Sequence, residues 1–111
     1  MKKYKLYEQN LAAQEVIDFL QQREKKLDMN TCCREHMALN LLGDPEPGAN
    51  RLLDFGCGWG YLSRRAVDKG WSVVGIDLST NELDIARLYS SHKQYKSNPL
   101  FLERVWKLQL L

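Results

Sequence analysis

Three glycines at alternate positions, Gly56, Gly58 and Gly60, stand in the run Leu53-Asp54-Phe55-Gly56-Cys57-Gly58-Trp59-Gly60, and a second carboxylate, Asp77, follows 21 positions after Gly56. Glycines in such a run let the backbone turn sharply and let a ligand approach main-chain atoms closely. Gly60 would allow tight packing where a helix starts. Asp77 closes the run Trp71-Ser72-Val73-Val74-Gly75-Ile76-Asp77. A carboxylate placed there, after a glycine loop and at the end of a second strand, accepts hydrogen bonds from ribose hydroxyls. The dinucleotide fingerprint is G-x-G-x-x-G, and Tyr61 stands where its third glycine belongs. The spacing here is G-x-G-x-G, with Asp54 two residues ahead of the first glycine. A carboxylate at that point is poorly suited to a pyrophosphate. It suits a ligand carrying an ammonium and a positive sulfur centre, because opposite charges stabilise one another in a partly dry cleft. A nicotinamide or flavin site is the alternative, and the plainest reading is a tight turn with Asp77 capping a helix.

The elements that must position these groups are legible around them. Arg51-Leu52-Leu53-Asp54-Phe55 is a short apolar run between turn residues and predicts a buried strand. Tyr61 to Lys69 carries Leu62, Ala66 and Val67 at helical spacing, with Gly70 as its stop. Trp71 to Asp77 predicts a second strand. Ser79 and Glu82 have capping-box spacing ahead of a helix through Leu83, Ala86, Leu88 and Tyr89. Strand, helix, strand, helix predicts a parallel, right-handed pair. Ser97-Asn98-Pro99 breaks the chain, and Leu100-Phe101-Leu102 predicts a third strand with Glu103 at its end. Upstream, Leu11, Ala12, Val16, Phe19 and Leu20 predict a helix from Tyr7 to Leu27. Asp28-Met29-Asn30-Thr31 should cap a second helix carrying Cys33, Met37, Leu39 and Leu41 and ending at Gly43. Asp44 to Asn50, with two prolines and a glycine, is a connector.

Composition narrows the function classes. The 111 residues fit one small domain, and 16 Lys+Arg against 14 Asp+Glu leave a net charge of +2, too little to argue for nucleic acid. No apolar run approaches the roughly 20 residues that span a bilayer. Met1-Lys2-Lys3-Tyr4-Lys5 is charged with no apolar segment after it, so no secretory signal is expected and the expected compartment is the cytoplasm. Three cysteines without framework spacing read as reduced thiols. Cys33 and His36 would share a helix face as half of a zinc site, but the other half is missing, so no metal is expected.

Leu53-Asp54-Phe55-Gly56-Cys57-Gly58-Trp59-Gly60, followed by Val73-Val74-Gly75-Ile76-Asp77-Leu78-Ser79, closely resembles the class I S-adenosylmethionine-dependent methyltransferases over roughly residues 45 to 90, including the Pro47-Gly48 turn ahead of the first strand. The resemblance implies an α/β fold, a partial Rossmann-like parallel sheet of two to three strands with N-terminal helices. It implies an N-terminal helical cap over residues 1–43, in which Tyr4 and Tyr7 pack or cover substrate, and a partial cofactor-binding domain over residues 44–111. The implied cofactor is S-adenosylmethionine. Gly56, Gly58 and Gly60, with the backbones of Cys57 and Trp59, would support its methionine and ribose portions. Asp54 would orient the methionine end, directly or through water. Asp77 would bind the ribose hydroxyls, and Leu78 would contact the adenine.

The family's fold has seven strands and its acceptor-binding groups follow later strands, so no catalytic residue can be assigned. The implied partner is an unidentified methyl acceptor, a small molecule rather than nucleic acid or membrane. The first strand is central in that fold, so its edge near Leu52 and Leu53 is left open for self-association or a complementing C-terminal half. A non-catalytic cofactor-binding or interaction module and a nicotinamide-dependent oxidoreductase fragment are the competing readings.

Overall fold

The structure is a computed structural model that describes residues 2–93 and 99–103. The Ser97-Asn98 part of the predicted break, and the tail after Glu103, lie outside the described residues.

The chain opens with a hairpin where a helix was predicted. β1 (Lys3–Leu6) pairs antiparallel with β2 (Gln9–Ala12), and α1 (Ala13–Met29) begins only after it. Two local causes set this. Tyr4 and Leu6 are buried while Lys3 and Lys5, which alternate with them, are exposed, which is the two-residue period of a strand. Tyr7 and Glu8 adopt φ of 52° and 66°, the paired left-handed conformation of a two-residue hairpin loop. Neither is Gly or Asn, so the turn carries none of its usual sequence signal. Leu11 and Ala12, counted toward the helical face, belong to β2.

α2 (Arg34–Leu42) ends at Gly43 as predicted, but its N-cap is Cys33, whose side chain makes no capping hydrogen bond, and Asp28 and Met29 finish α1 instead. Cys33 therefore precedes the helix that carries His36. His36 Nε2 donates to Leu27 O at 2.7 Å, tying α2 to the end of α1. Of the apolar residues assigned to the face of α2, Leu39 is buried while Met37 and Leu41 are exposed.

The site-bearing half then follows: β3 (Arg51–Phe55), α3 (Tyr61–Asp68), β4 (Ser72–Asp77), α4 (Thr80–His92) and β5 (Leu100–Glu103). The sheet order is β3-β4-β5 and both pairings are parallel, with Leu53 opposite Val74 and Val74 opposite Leu100. This is the expected Rossmann-like arrangement with a third strand present.

β3 is not the buried strand predicted. Leu53 and Phe55 are 53% and 66% exposed, and in register with them Leu100 and Leu102 are 57% and 41% exposed. One face of the sheet thus presents apolar side chains to solvent, although parallel sheets are ordinarily covered on both faces. Among the described residues β3 has a strand neighbour on one side only.

The other face carries the core. Tyr4, Leu6, Val16, Ile17 and Leu20 pack with Ile85 and Tyr89, so hairpin, α1 and α4 share one cluster. Asn81, in the first turn of α4, accepts from Lys5 N at 3.0 Å and donates to Lys5 O, so its amide docks the edge of β1 like a short strand. Cys57, Leu83, Ala86 and Phe101 form a second cluster beneath the glycine loop. Gly75 lies under it: a Cβ there would come within 2.9 Å of both Cys57 Sγ and Phe101 Cδ1. Gly75→Ala is expected to cost about 1–3 kcal/mol through overpacking. A wild-type denaturation midpoint in that variant would remove Gly75 from this role.

Candidate glycine-loop cleft

The glycine loop leaves the end of β3 and folds back over the end of β4. Gly56 N and Cys57 N both donate to Ile76 O, at 2.7 and 2.9 Å. Gly56 and Gly58 have φ of 76° and 54°, conformations that a side chain would strain. Asp77 then ties the loop to α4. Its Oδ2 accepts from Gly58 N at 2.8 Å, and its Oδ1 accepts from Ser79 N at 2.9 Å. Ser79 caps α4, its Oγ accepting from Glu82 N at 3.2 Å. That turn brings the Glu82 carboxylate beside the loop, with Oε2 3.7 Å from where a Cβ on Gly58 would stand. Asp54, near the end of β3, accepts from Ser63 Oγ of α3 at 2.6 Å.

Beneath the loop sits a buried cation. The Arg64 side chain is fully buried; its Nη1 donates to Trp59 O at 2.8 Å and to Ser90 Oγ at 3.2 Å. Its guanidinium lies 5.0 Å from the Trp59 ring centroid and 4.8 Å from that of Tyr89. Trp59 also stacks on Tyr61 at 5.7 Å, so its ring belongs to the packing beneath the loop.

The electrostatics of the loop are set by carboxylates. Burial holds the Asp54 carboxyl above the usual carboxylate range; the Ser63 bond opposes this and the charge of Asp77 adds to it. Burial and then the Asp77 charge raise Glu82 as well, with Arg23 opposing. The Cys57 thiol is pushed up to about 12 by burial, then by Asp54 and Asp77. It stays protonated at neutral pH and is no nucleophile. Three carboxylates thus crowd one loop, an arrangement that a cationic ligand would relieve.

A cavity of about 430 Å³ opens between this loop and the N-terminal helices, within the size range of small-molecule sites. Of the residues predicted for the site, Asp54, Gly56, Cys57, Gly58 and Trp59 line it. Gly60 does not: a Cβ there would lie 2.8 Å from Arg64 Nη1 and 2.9 Å from Phe101 Cζ, so its glycine serves packing. Asp77 stands behind Gly58, and Leu78 lies beyond the lining, 66% exposed. The N-terminal helices contribute Arg23, Leu27 and Arg34 to the lining, and α3 contributes Tyr61.

Sequence reasoning missed Ser63, Arg64 and Arg23, and took Glu82 only for a capping residue. The capping box did bear a signal for Glu82, because a residue in the first turn after Asp77 must lie near the loop that Asp77 holds. Arg64 and Ser63 read as the polar face of a helix and carried none.

Comparison with known proteins follows the same residues. The family model described as mycolic acid cyclopropane synthetase matches residues 17–99. A ubiquinone biosynthesis O-methyltransferase of Hydrogenovibrio crunogenus is 47% identical over 47 residues, 42% of this chain and 20% of that protein. A malonyl-[acyl-carrier protein] O-methyltransferase of Serratia marcescens is 41% identical over 54 residues, 49% of this chain and 21% of that protein. The chain therefore spans about a fifth of the length of these curated relatives. Among solved structures, an S-adenosylmethionine-dependent methyltransferase from Mesorhizobium loti is 31% identical with a TM-score of 0.50, covering 66% of this chain and 32% of that one. The magnesium protoporphyrin IX methyltransferase of Synechocystis PCC 6803, at 22% identity and a TM-score of 0.52, shares the fold over 86% of this chain and 42% of its own.

Proposed function

Since this chain belongs to the class I S-adenosylmethionine-dependent methyltransferases, in the family described by the mycolic acid cyclopropane synthetase model, we propose that its glycine-loop cleft holds S-adenosylmethionine and forms the donor side of a methyl-transfer site. The observation that carries this reading is the crowding of Asp54, Asp77 and Glu82 around a loop free of side chains at Gly56 and Gly58. The donor set suits a ligand with two positive centres and a ribose, and it is ill suited to a pyrophosphate.

Each residue then has a defined task. Asp54, oriented by Ser63, holds an ammonium directly or through water. Each Asp77 oxygen spends one acceptor site on a backbone N–H and keeps another for a ribose hydroxyl. Gly56, Gly58 and the backbones of Cys57 and Trp59 form the floor, and Gly60 keeps it packed against Arg64. Leu78, exposed and apolar, offers a face to the adenine. When bound, S-adenosylmethionine supplies an already activated methyl group. The protein's part is alignment of an acceptor with it. We place the cap at residues 1–43 and the cofactor domain at residues 44–111, with the two sharing the core between α1 and α4.

The acceptor of the whole protein is proposed to be a small molecule, as the names of the relatives that act in ubiquinone biosynthesis and on malonyl-[acyl-carrier protein] suggest. No described helix is long and apolar enough to cross a membrane. The open edge of β3 and the exposed face with Leu53 and Phe55 are where a complementing C-terminal half, or a second copy, would add.

Calorimetric titration with S-adenosylmethionine, S-adenosylhomocysteine and NAD tests the reading. The two adenosyl ligands should bind and NAD should not. Binding should weaken as the pH falls from neutral toward the usual carboxylate range, because Asp54 and Glu82 have raised pKa values and take up protons at a higher pH than ordinary carboxyls do. Without ligand the same two groups act in the opposite sense. Their folded pKa values exceed the unfolded ones, so their contribution to stability grows as pH falls from the raised values toward the usual carboxylate range. Binding of NAD alone, or pH-independent affinity for S-adenosylmethionine, would reject this site.

A further inference from the structure

A second, smaller cavity of about 170 Å³ adjoins the first, with Arg23 and Trp59 in the walls of both. Its remaining lining comes from the hairpin and α1, through Leu6, Tyr7, Phe19 and Leu20, and from Glu82 of α4. A cavity of about 150 Å³ lined by apolar side chains holds one benzene ring, which sets the size of what fits.

The walls are unusual in two ways. Tyr7 holds a left-handed backbone, costly for a bulky residue, and is 64% exposed. Its ring meets that of Phe19 edge to face at 5.5 Å, so two aromatic side chains stand partly solvated at one mouth. Arg23 donates from Nη1 to Tyr7 Oη at 2.5 Å, which uses one of five guanidinium N–H donors. Among the described residues no carboxylate lies within salt-bridge distance of it. An exposed guanidinium with spare donors, 5.9 Å from the Tyr7 ring centroid and in the wall of a cavity, matches a planar carboxylate. The Glu82 carboxyl in the same wall is an acceptor for a hydroxyl or amine.

We infer that this cavity is the acceptor subsite, and that it takes a single-ring aromatic carboxylate bearing a hydroxyl or amine, with Arg23 pairing the carboxylate and Tyr7 and Phe19 enclosing the ring. The inference rests on the proposed donor cleft only in calling the ligand an acceptor; the cavity and its chemistry stand without it. Its position follows from the shared wall: a molecule held by Arg23 and Glu82 lies next to the loop where Gly58 faces Glu82.

The test uses the 111-residue chain, with 3-hydroxybenzoate and its neutral counterpart 3-hydroxybenzamide as probes, titrated by NMR with and without saturating S-adenosylhomocysteine. The acid should bind about tenfold or more tighter than the amide and should shift the side-chain signals of Tyr7 and Arg23. Arg23→Gln should remove that preference, and Phe19→Ala, which lies outside the donor cleft, should weaken binding of the acid and leave affinity for S-adenosylhomocysteine unchanged. Equal binding of acid and amide, or binding of neither, would overturn the subsite. So would an Arg23→Gln variant that loses S-adenosylhomocysteine affinity to the same extent, since Arg23 would then serve the cofactor's own carboxylate. Acid binding that persists while S-adenosylhomocysteine fails to bind would reject the donor cleft and leave the subsite standing.

Discussion

Asp77→Ala should lose S-adenosylmethionine affinity by roughly ten- to a hundredfold and also lower the stability of the ligand-free chain by about 1–3 kcal/mol. Both effects come from one carboxylate with two duties. In the free protein Asp77 accepts from Gly58 N and Ser79 N, so its removal strips an acceptor from the glycine loop and another from the start of α4. The partial exposure of the site lets water replace some of what is lost, which keeps the stability cost at the lower end. On the binding side, ribose hydroxyls would lose their acceptor and the loop would lose the geometry that leaves room for the ligand. Asp77→Asn separates the duties. It keeps one acceptor oxygen, but its amide would set donor against donor at Gly58 N or Ser79 N, so stability should recover less than isosteric replacement suggests. Melting temperature and calorimetric affinity, measured together on both variants, check this. Wild-type affinity in Asp77→Ala would take Asp77 out of the site, and wild-type stability would mean that its two backbone bonds are replaced by water at no cost.

This double role shows where the sequence was legible. Spacing and strand context located Asp77 and the loop, because a glycine run after an apolar strand with a carboxylate ending the next strand has few structural solutions. β3, α3, β4, α4 and β5 appear close to their predicted places, since apolar patterning marks each of them and Gly56 and Gly70 stop β3 and α3. The hairpin was hidden because Tyr7 and Glu8 take conformations that their residue types disfavour, and because Leu11 and Ala12 happen to continue the spacing of α1. Burial of β3 was misjudged for a different reason. An apolar run records what a strand face will meet in a complete sheet, and here Leu53 and Phe55 meet solvent. Arg64 was invisible because a helical arginine reads as surface unless its neighbours are known.

Arg64 carries the second large effect. Arg64→Ala should destabilise the chain by about 3–5 kcal/mol, a large share of the roughly 5–15 kcal/mol that holds a small domain folded. The substitution empties a fully buried volume between the Trp59 and Tyr89 rings and deprives Trp59 O and Ser90 Oγ of their donor. Packing and loop positioning both enter that figure, and Arg64→Met parts them. Methionine fills much of the space without a buried charge, so much of the stability should return. It cannot donate to Trp59 O, so the loop from Gly56 to Gly60 should remain less ordered than in the wild type. Hydrogen exchange at Gly58 and Gly60 reads that order directly, while chemical denaturation reads the packing. If Arg64→Met restores both stability and loop protection, Arg64 is a packing residue alone. If it restores stability while Gly58 exchanges faster and S-adenosylmethionine binds more weakly, then the buried cation positions the loop, and the donor cleft depends on a residue that touches no ligand.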